Sequence, residues 1–75
     1  MALRFGRCRL PELLKATRMS QTEFAKRLEV SDSFVSRVIS GEKKLSLLKA
    51  REAALILGCH VDDLYEWIGP NGERL

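Results

Sequence analysis

Apolar side chains recur along the chain mainly at intervals of three and four residues, the spacing of one helix face and not of a strand. Leu10, Leu13 and Leu14 form a first stripe, and Pro11 suits the opening turn, where its missing N–H would have had no partner; a helix is predicted over about Pro11 to Arg18. Ser20-Gln21-Thr22-Glu23 reads as a capping box, the Ser20 hydroxyl accepting from the Glu23 N–H while the Glu23 carboxylate reaches back to Ser20. Met19 and Phe24 hold the two positions of a hydrophobic staple around that cap. Phe24, Ala25 and Leu28 then mark a second helix, about Gln21 to Leu28, with Glu23 and Arg27 paired on its outside.

Glu29-Val30-Ser31 is a tight connection, and Ser31 is a good cap for a third helix that ends at Gly41. Its inward positions are Val35, Val38 and Ile39; Ser33, Ser36, Arg37 and Ser40 lie opposite, with Asp32 at the start. After the charged loop Glu42-Lys43-Lys44-Leu45, Ser46 caps a fourth helix whose buried face is Leu47, Ala50, Ala53, Ala54 and Leu57, and Gly58 ends it. A short fifth helix is expected over about Val61 to Trp67, its first turn carrying Asp62 and Asp63 at the positive end of the dipole. No segment shows a β-pattern of useful length, so the expected class is all-α with five helices. Residues 1–9 read as a basic arm or short extended piece, 10–68 as one domain, and 69–75, opening on Gly69-Pro70-Asn71-Gly72, as a tail.

A chain of 75 residues fills one core only, and 45% apolar with 31% charged residues is a globular balance that excludes a disordered linker. No apolar run approaches the roughly 18 residues of a membrane helix, and the three Arg near the start have no h-region behind them, which leads us to expect a cytoplasmic protein. Charge is uneven. Residues 1–18 carry five basic groups against one acid, residues 19–57 seven against five, and residues 58–75 one against four. Such a gradient can turn a basic face toward a polyanion, although an ordinary solvated surface is equally consistent with it. Cys8, Cys59 and the single His60 are too few for a structural zinc site, and two reduced thiols are expected. With no phosphate loop and no Cys–His or Ser–His spacing, neither an enzyme nor a cofactor is expected.

The run Gln21 to Ser40, two short helices about a three-residue turn, resembles the helix-turn-helix of phage repressor and Cro-type DNA-binding domains, the XRE-type regulators. Ala25 stands at the family's small position between the helices, Val30 at its apolar turn position, and Val35 and Val38 at the inward positions of its second helix. Leu10 to Met19, Ser40-Gly41-Glu42-Lys43 and Leu57 to Leu64 extend the likeness to the family's first helix, post-recognition turn and approach to a fifth helix. Glu29 departs from the Gly often found in the turn, where φ is positive, and Leu14 and Ile39 occupy places that hold an Arg–Glu ion pair in some members.

The resemblance implies a compact lambda-repressor-like fold, prokaryotic or phage in type, and transcription regulation, most simply repression, on double-stranded DNA. The major groove, about 12 Å wide, admits a helix with a narrow polar face. On that reading Arg37 reaches guanine O6 and N7, Ser33 and Ser36 donate or accept, and Asp32 either accepts from cytosine N4 or serves only the helix dipole. Gln21, Ser40, Lys43 and Lys44 are the expected phosphate contacts; Arg4 and Arg7, with Arg9, either extend these along the duplex or into the minor groove, or form a loose terminus. A homodimer on a pseudo-palindrome is expected, because one small module contacts few base pairs. Leu48, Leu55 and Ile56, with Tyr65, Trp67 and Ile68, mark either a self-association patch or incomplete burial. The competing reading is a protein–protein adaptor or antitoxin-like module on the same fold, its groove-facing side chains idle.

Overall fold

Four α-helices wrap one apolar centre in the computed structural model, which describes residues 1–75. In chain order they are α1 (Leu10–Ala16), α2 (Gln21–Leu28), α3 (Asp32–Ser40) and α4 (Leu47–Leu57). Strand β1 (Arg4–Cys8) precedes them, and a 3₁₀ turn (Val61–Leu64) leads into β2 (Tyr65–Ile68), which pairs antiparallel with β1. The molecule measures 37 × 22 × 20 Å.

Each long-helix boundary has a local cause. Ser20, Ser31 and Ser46 each accept from the backbone N–H three residues on, those of Glu23, Phe34 and Lys49, at 3.0, 3.0 and 3.2 Å. One hydroxyl thereby satisfies one of the N–H groups a helix start leaves free. The capping box is only half formed: the Glu23 carboxylate accepts from Arg27 Nε at 3.0 Å instead of turning back to Ser20. Gly41 and Gly58 end α3 and α4 at φ +87° and +69°, a region that costs glycine nothing. Glu29 ends α2 at φ +62° without that freedom, and the Val30 N–H closes onto the Ala25 carbonyl at 3.0 Å. Helix α1 stops at Ala16, two residues short of the expected Arg18, because Arg18 itself turns to φ +55° so that the Met19 N–H can reach the Leu14 carbonyl.

The core is contributed by every element. Leu10, Leu14, Phe24, Leu28, Val35, Val38, Ala53, Leu57 and Leu64 are buried, and no charged side chain joins them. Leu14 and Ile39, at the places of the alternative ion pair, are buried and half-buried carbon, which needs no desolvated charge. Ala50, Ala53 and Ala54 let α4 approach α2 closely, and Lys49 extends from α4 to donate to the Leu28 carbonyl at 2.8 Å, at the negative end of α2.

The expected fifth helix is absent, and the molecule is not all-α. Val61–Leu64 makes a single 3₁₀ turn whose start is held by the Asp63 carboxylate accepting from the His60 N–H at 3.0 Å. Tyr65-Glu66-Trp67-Ile68 then extends, as its β-favouring residues prefer once a partner strand is at hand. That partner is the N-terminal segment, extended as one of its expected forms but paired and not loose. Arg4 faces Ile68 and Phe5 faces Trp67; an irregularity follows, and Cys8 faces Tyr65. Gly6 is required at this crossing, since a Cβ there would lie 2.9 Å from Glu66 Cβ. Phe5 packs edge-on to Tyr65 and tilted against Trp67, at 5.0 and 5.2 Å between ring centroids. Tyr65 is buried, which removes it from the expected surface patch, whereas Leu48 and Leu55 stay exposed.

Candidate nucleic-acid interface

Helix α3 buries Val35 and Val38 completely, and that anchoring turns Asp32, Ser33, Ser36, Arg37 and Ser40 into solvent together. No other segment of the chain covers them. The side that faces outward therefore carries two short hydroxyls and a guanidinium at its centre, a profile low enough for close approach to another surface.

Helix α2 is tied to this face by polar bonds. Gln21 Nε2 donates to Ser36 Oγ at 2.7 Å and lies 3.5 Å from the Asp32 carbonyl, while Thr22 Oγ1 donates to Asp32 Oδ2 at 3.2 Å. Gln21 and Ser36 thus form one amide–hydroxyl unit that still has the Gln21 carbonyl oxygen and the Ser36 O–H to offer. Asp32 is occupied by Thr22 as well as by the dipole of its own helix. Sequence spacing gave no hint of Thr22, because the contact joins residues ten apart across the turn. Arg37 is more than half exposed, its Nε 3.8 Å from Glu42 Oε2 in the turn after α3, with the terminal nitrogens unengaged. Glu42 is likewise a contact that sequence reading missed. Its position one turn beyond Arg37 was the available signal.

The flanking cations differ from one another. Lys43 is exposed and Arg4 is exposed, neither in an ion pair. Lys44 Nζ donates to the Gly41 carbonyl at 3.3 Å and sits 5.6 Å from the centre of the Phe5 ring. Ser40 Oγ donates to the Arg37 carbonyl at 3.0 Å and keeps its lone pairs outward. Arg7 is not a free arm residue: it forms a bidentate pair with Glu12 at 2.7 and 2.9 Å and approaches Glu66 at 3.5 Å. Its side-chain bond to Glu12, and the charge behind it, hold the Glu12 carboxyl below the usual carboxylate range and raise Arg7 further. Arg9 Nε adds a contact of 3.6 Å to the same Glu12. Pairing β1 with β2 thus brings the basic start beside the acidic end, so the charge gradient along the sequence does not become a gradient through space.

Both cysteines are free thiols. Burial pushes each above its ordinary value, and Cys8 is the more enclosed of the two. No helix is long and apolar enough to cross a membrane.

A family model described as helix-turn-helix matches residues 12–64, the stretch from the first turn of α1 to the end of the 3₁₀ turn. The chain belongs to the Cro/C1-type, XRE helix-turn-helix family. Among curated proteins no match was found. The family is one of DNA-binding transcription regulators, and α2 and α3 both lie within the matched residues. Strands β1 and β2 both lie outside the matched residues.

Proposed function

We propose that the protein is a sequence-specific transcriptional regulator of repressor type in the cytoplasm, occupying operator DNA as a homodimer on a pseudo-palindromic site. Helix α3 enters the major groove. Arg37 reads guanine through its two terminal nitrogens, and Ser33 and Ser36 read neighbouring base edges, Ser36 oriented by Gln21. Asp32, held through Oδ2 by Thr22, keeps Oδ1 to accept from a cytosine N4 amine. Gln21, at the start of α2, also meets a phosphate, and Ser40, Lys43 and Lys44 meet the flanking backbone. Arg4 adds to that set from β1; Arg7 joins it only by exchanging Glu12 for a phosphate.

The observation that carries this reading is the uncovered α3 face, five polar side chains turned outward by two fully buried valines. Repression is the simplest mode of action for a domain that occupies a site. Selection of bound duplexes from a random pool tests the proposal: recovery of a recurrent site with twofold symmetry and a guanine in each half supports it. A pool that stays random contradicts it and favours the adaptor reading, for which the exposed Leu47 and Leu48 at the start of α4 would be the natural contact.

A further inference from the structure

The two outer edges of the small sheet are not alike. Beyond β2 the C-terminal residues fold back: the Leu75 N–H donates to the Trp67 carbonyl at 3.0 Å, the Gly69 N–H donates to the Glu73 carbonyl at 2.7 Å, and Ile68 bridges to Arg74. That edge is occupied. A strand residue sends its N–H and C=O to the same side, and successive residues alternate. Trp67 therefore directs its backbone groups at the tail and away from β1. Phe5, directly opposite Trp67 in the ladder, must direct its own away from β2, onto the open side of β1. No turn, loop or side-chain hydrogen bond reaches either group. The Phe5 ring is half exposed, at 50%, on the aromatic face beside Tyr65 and Trp67.

We propose that the open edge of β1 is the docking surface for a second copy of this chain, pairing antiparallel across a twofold axis with Phe5 opposite Phe5. This deepens the dimeric part of the proposed function and rests on it. In that register the two Phe5 residues exchange both backbone hydrogen bonds, and each edge supplies what the other lacks. Arg4 then stands opposite Gly6 of the second copy and Leu3 opposite Arg7, so no arginine faces an arginine; shifting the register by one would set Arg4 against Arg7, a repulsive pair. The Arg7 charge is already met by Glu12 and Glu66 within its own chain. On one face of the resulting four-stranded sheet the rings run Trp67, Phe5, Phe5, Trp67, above apolar recesses of about 210 Å³ in each copy, lined by Leu45, Leu47 and Ala50 among others. Because the tail covers β2, pairing stops at two chains and does not propagate.

Sedimentation velocity and disulfide trapping test the edge. The wild type and Phe5→Tyr are expected to sediment as dimers, and Phe5→Lys as a monomer with wild-type helix content by circular dichroism. Directly opposed residues of such a pair lie about 5.5 Å apart at Cα, within disulfide reach, so Phe5→Cys should give a covalent dimer on mild oxidation while Leu55→Cys on α4 should not. A wild type that remains monomeric both free and on duplex DNA overturns the proposal, as does a dimer that survives in Phe5→Lys or crosslinks through Leu55→Cys instead. If the wild type dimerises at this edge and binds no duplex, the DNA-reading proposal fails and the edge stands. If Phe5→Lys binds half-sites with the Arg37-dependent preference intact, the DNA reading stands whatever the sedimentation result.

Discussion

Gln21 and Ser36 show how a single bond prepares a surface for reading. The amide holds the hydroxyl from one side at 2.7 Å, so under the proposed reading Ser36 would meet a base edge with its orientation already chosen and lose little freedom on binding. Replacing Gln21 by Ala releases that hydroxyl and removes the proposed phosphate contact; the expected result is weaker binding to every duplex together with a blunted preference at the Ser36 position, measured by fluorescence anisotropy on a panel of single-base variants. Arg7 and Glu12 give a prediction about acid. The Glu12 carboxyl is depressed in the folded chain, so its contribution is complete above the ordinary carboxylate value and is lost as pH falls through the lower native value. Urea titrations of the wild type and Glu12→Gln should therefore differ at pH 7 and converge in strong acid; an equal gap at both extremes would show that the pair contributes nothing through its charge. The thiols order themselves by enclosure. Alkylation at neutral pH, followed by mass spectrometry, should modify Cys59 well before Cys8, since burial raises both thiols and Cys8 is the less accessible of the two.

At the scale of elements, the helices are the part of the fold most plainly written in the residues. Ser20, Ser31, Ser46, Gly41 and Gly58 act locally, within three or four residues of where they stand, and α2, α3 and α4 begin and end where those signals lie. Strands β1 and β2 depend on each other across more than fifty residues. Each is four or five residues long with a glycine or a glutamate in the middle, too short for a period of two to stand out, and Asp62 and Asp63 resemble a helix start equally well whether one turn or two follow. The α3 face was legible for the same reason as the helix itself, because burial of Val35 and Val38 dictates what points outward. The Thr22–Asp32 and Arg37–Glu42 contacts were not, as they depend on how the turns set one element against the next. Glu29 tests this level of description. It holds a positive φ that L side chains resist, so Glu29→Gly should raise stability by about 0.5–1 kcal/mol despite the greater freedom of glycine in the unfolded chain. An unchanged or lowered thermal midpoint would show that the turn carries no such strain. Ser31→Ala, by contrast, should cost about 1 kcal/mol through loss of the α3 cap.

The whole molecule joins a helical unit that falls within the Cro/C1-type family match to a strand pair that lies outside it. The helical unit presents α3; the strand pair neutralises much of the basic N-terminal charge against Glu12 and Glu66 and leaves one edge open. Electrostatic attraction to DNA should then come chiefly from the cations around α3 and its following turn, not from the first residues of the chain. Lys44→Ala is expected to weaken all duplexes alike and to lower the slope of log affinity against log salt by about 1. Whether the outward side of α3 reads base sequence is decided by comparing wild type and Arg37→Ala on a selected duplex and on the same duplex with its guanine replaced in each half-site. The wild type is expected to discriminate between the two by roughly 1–3 kcal/mol per half-site, and Arg37→Ala to erase the difference while still binding both in a salt-dependent way. Equal discrimination by the two proteins would contradict that reading.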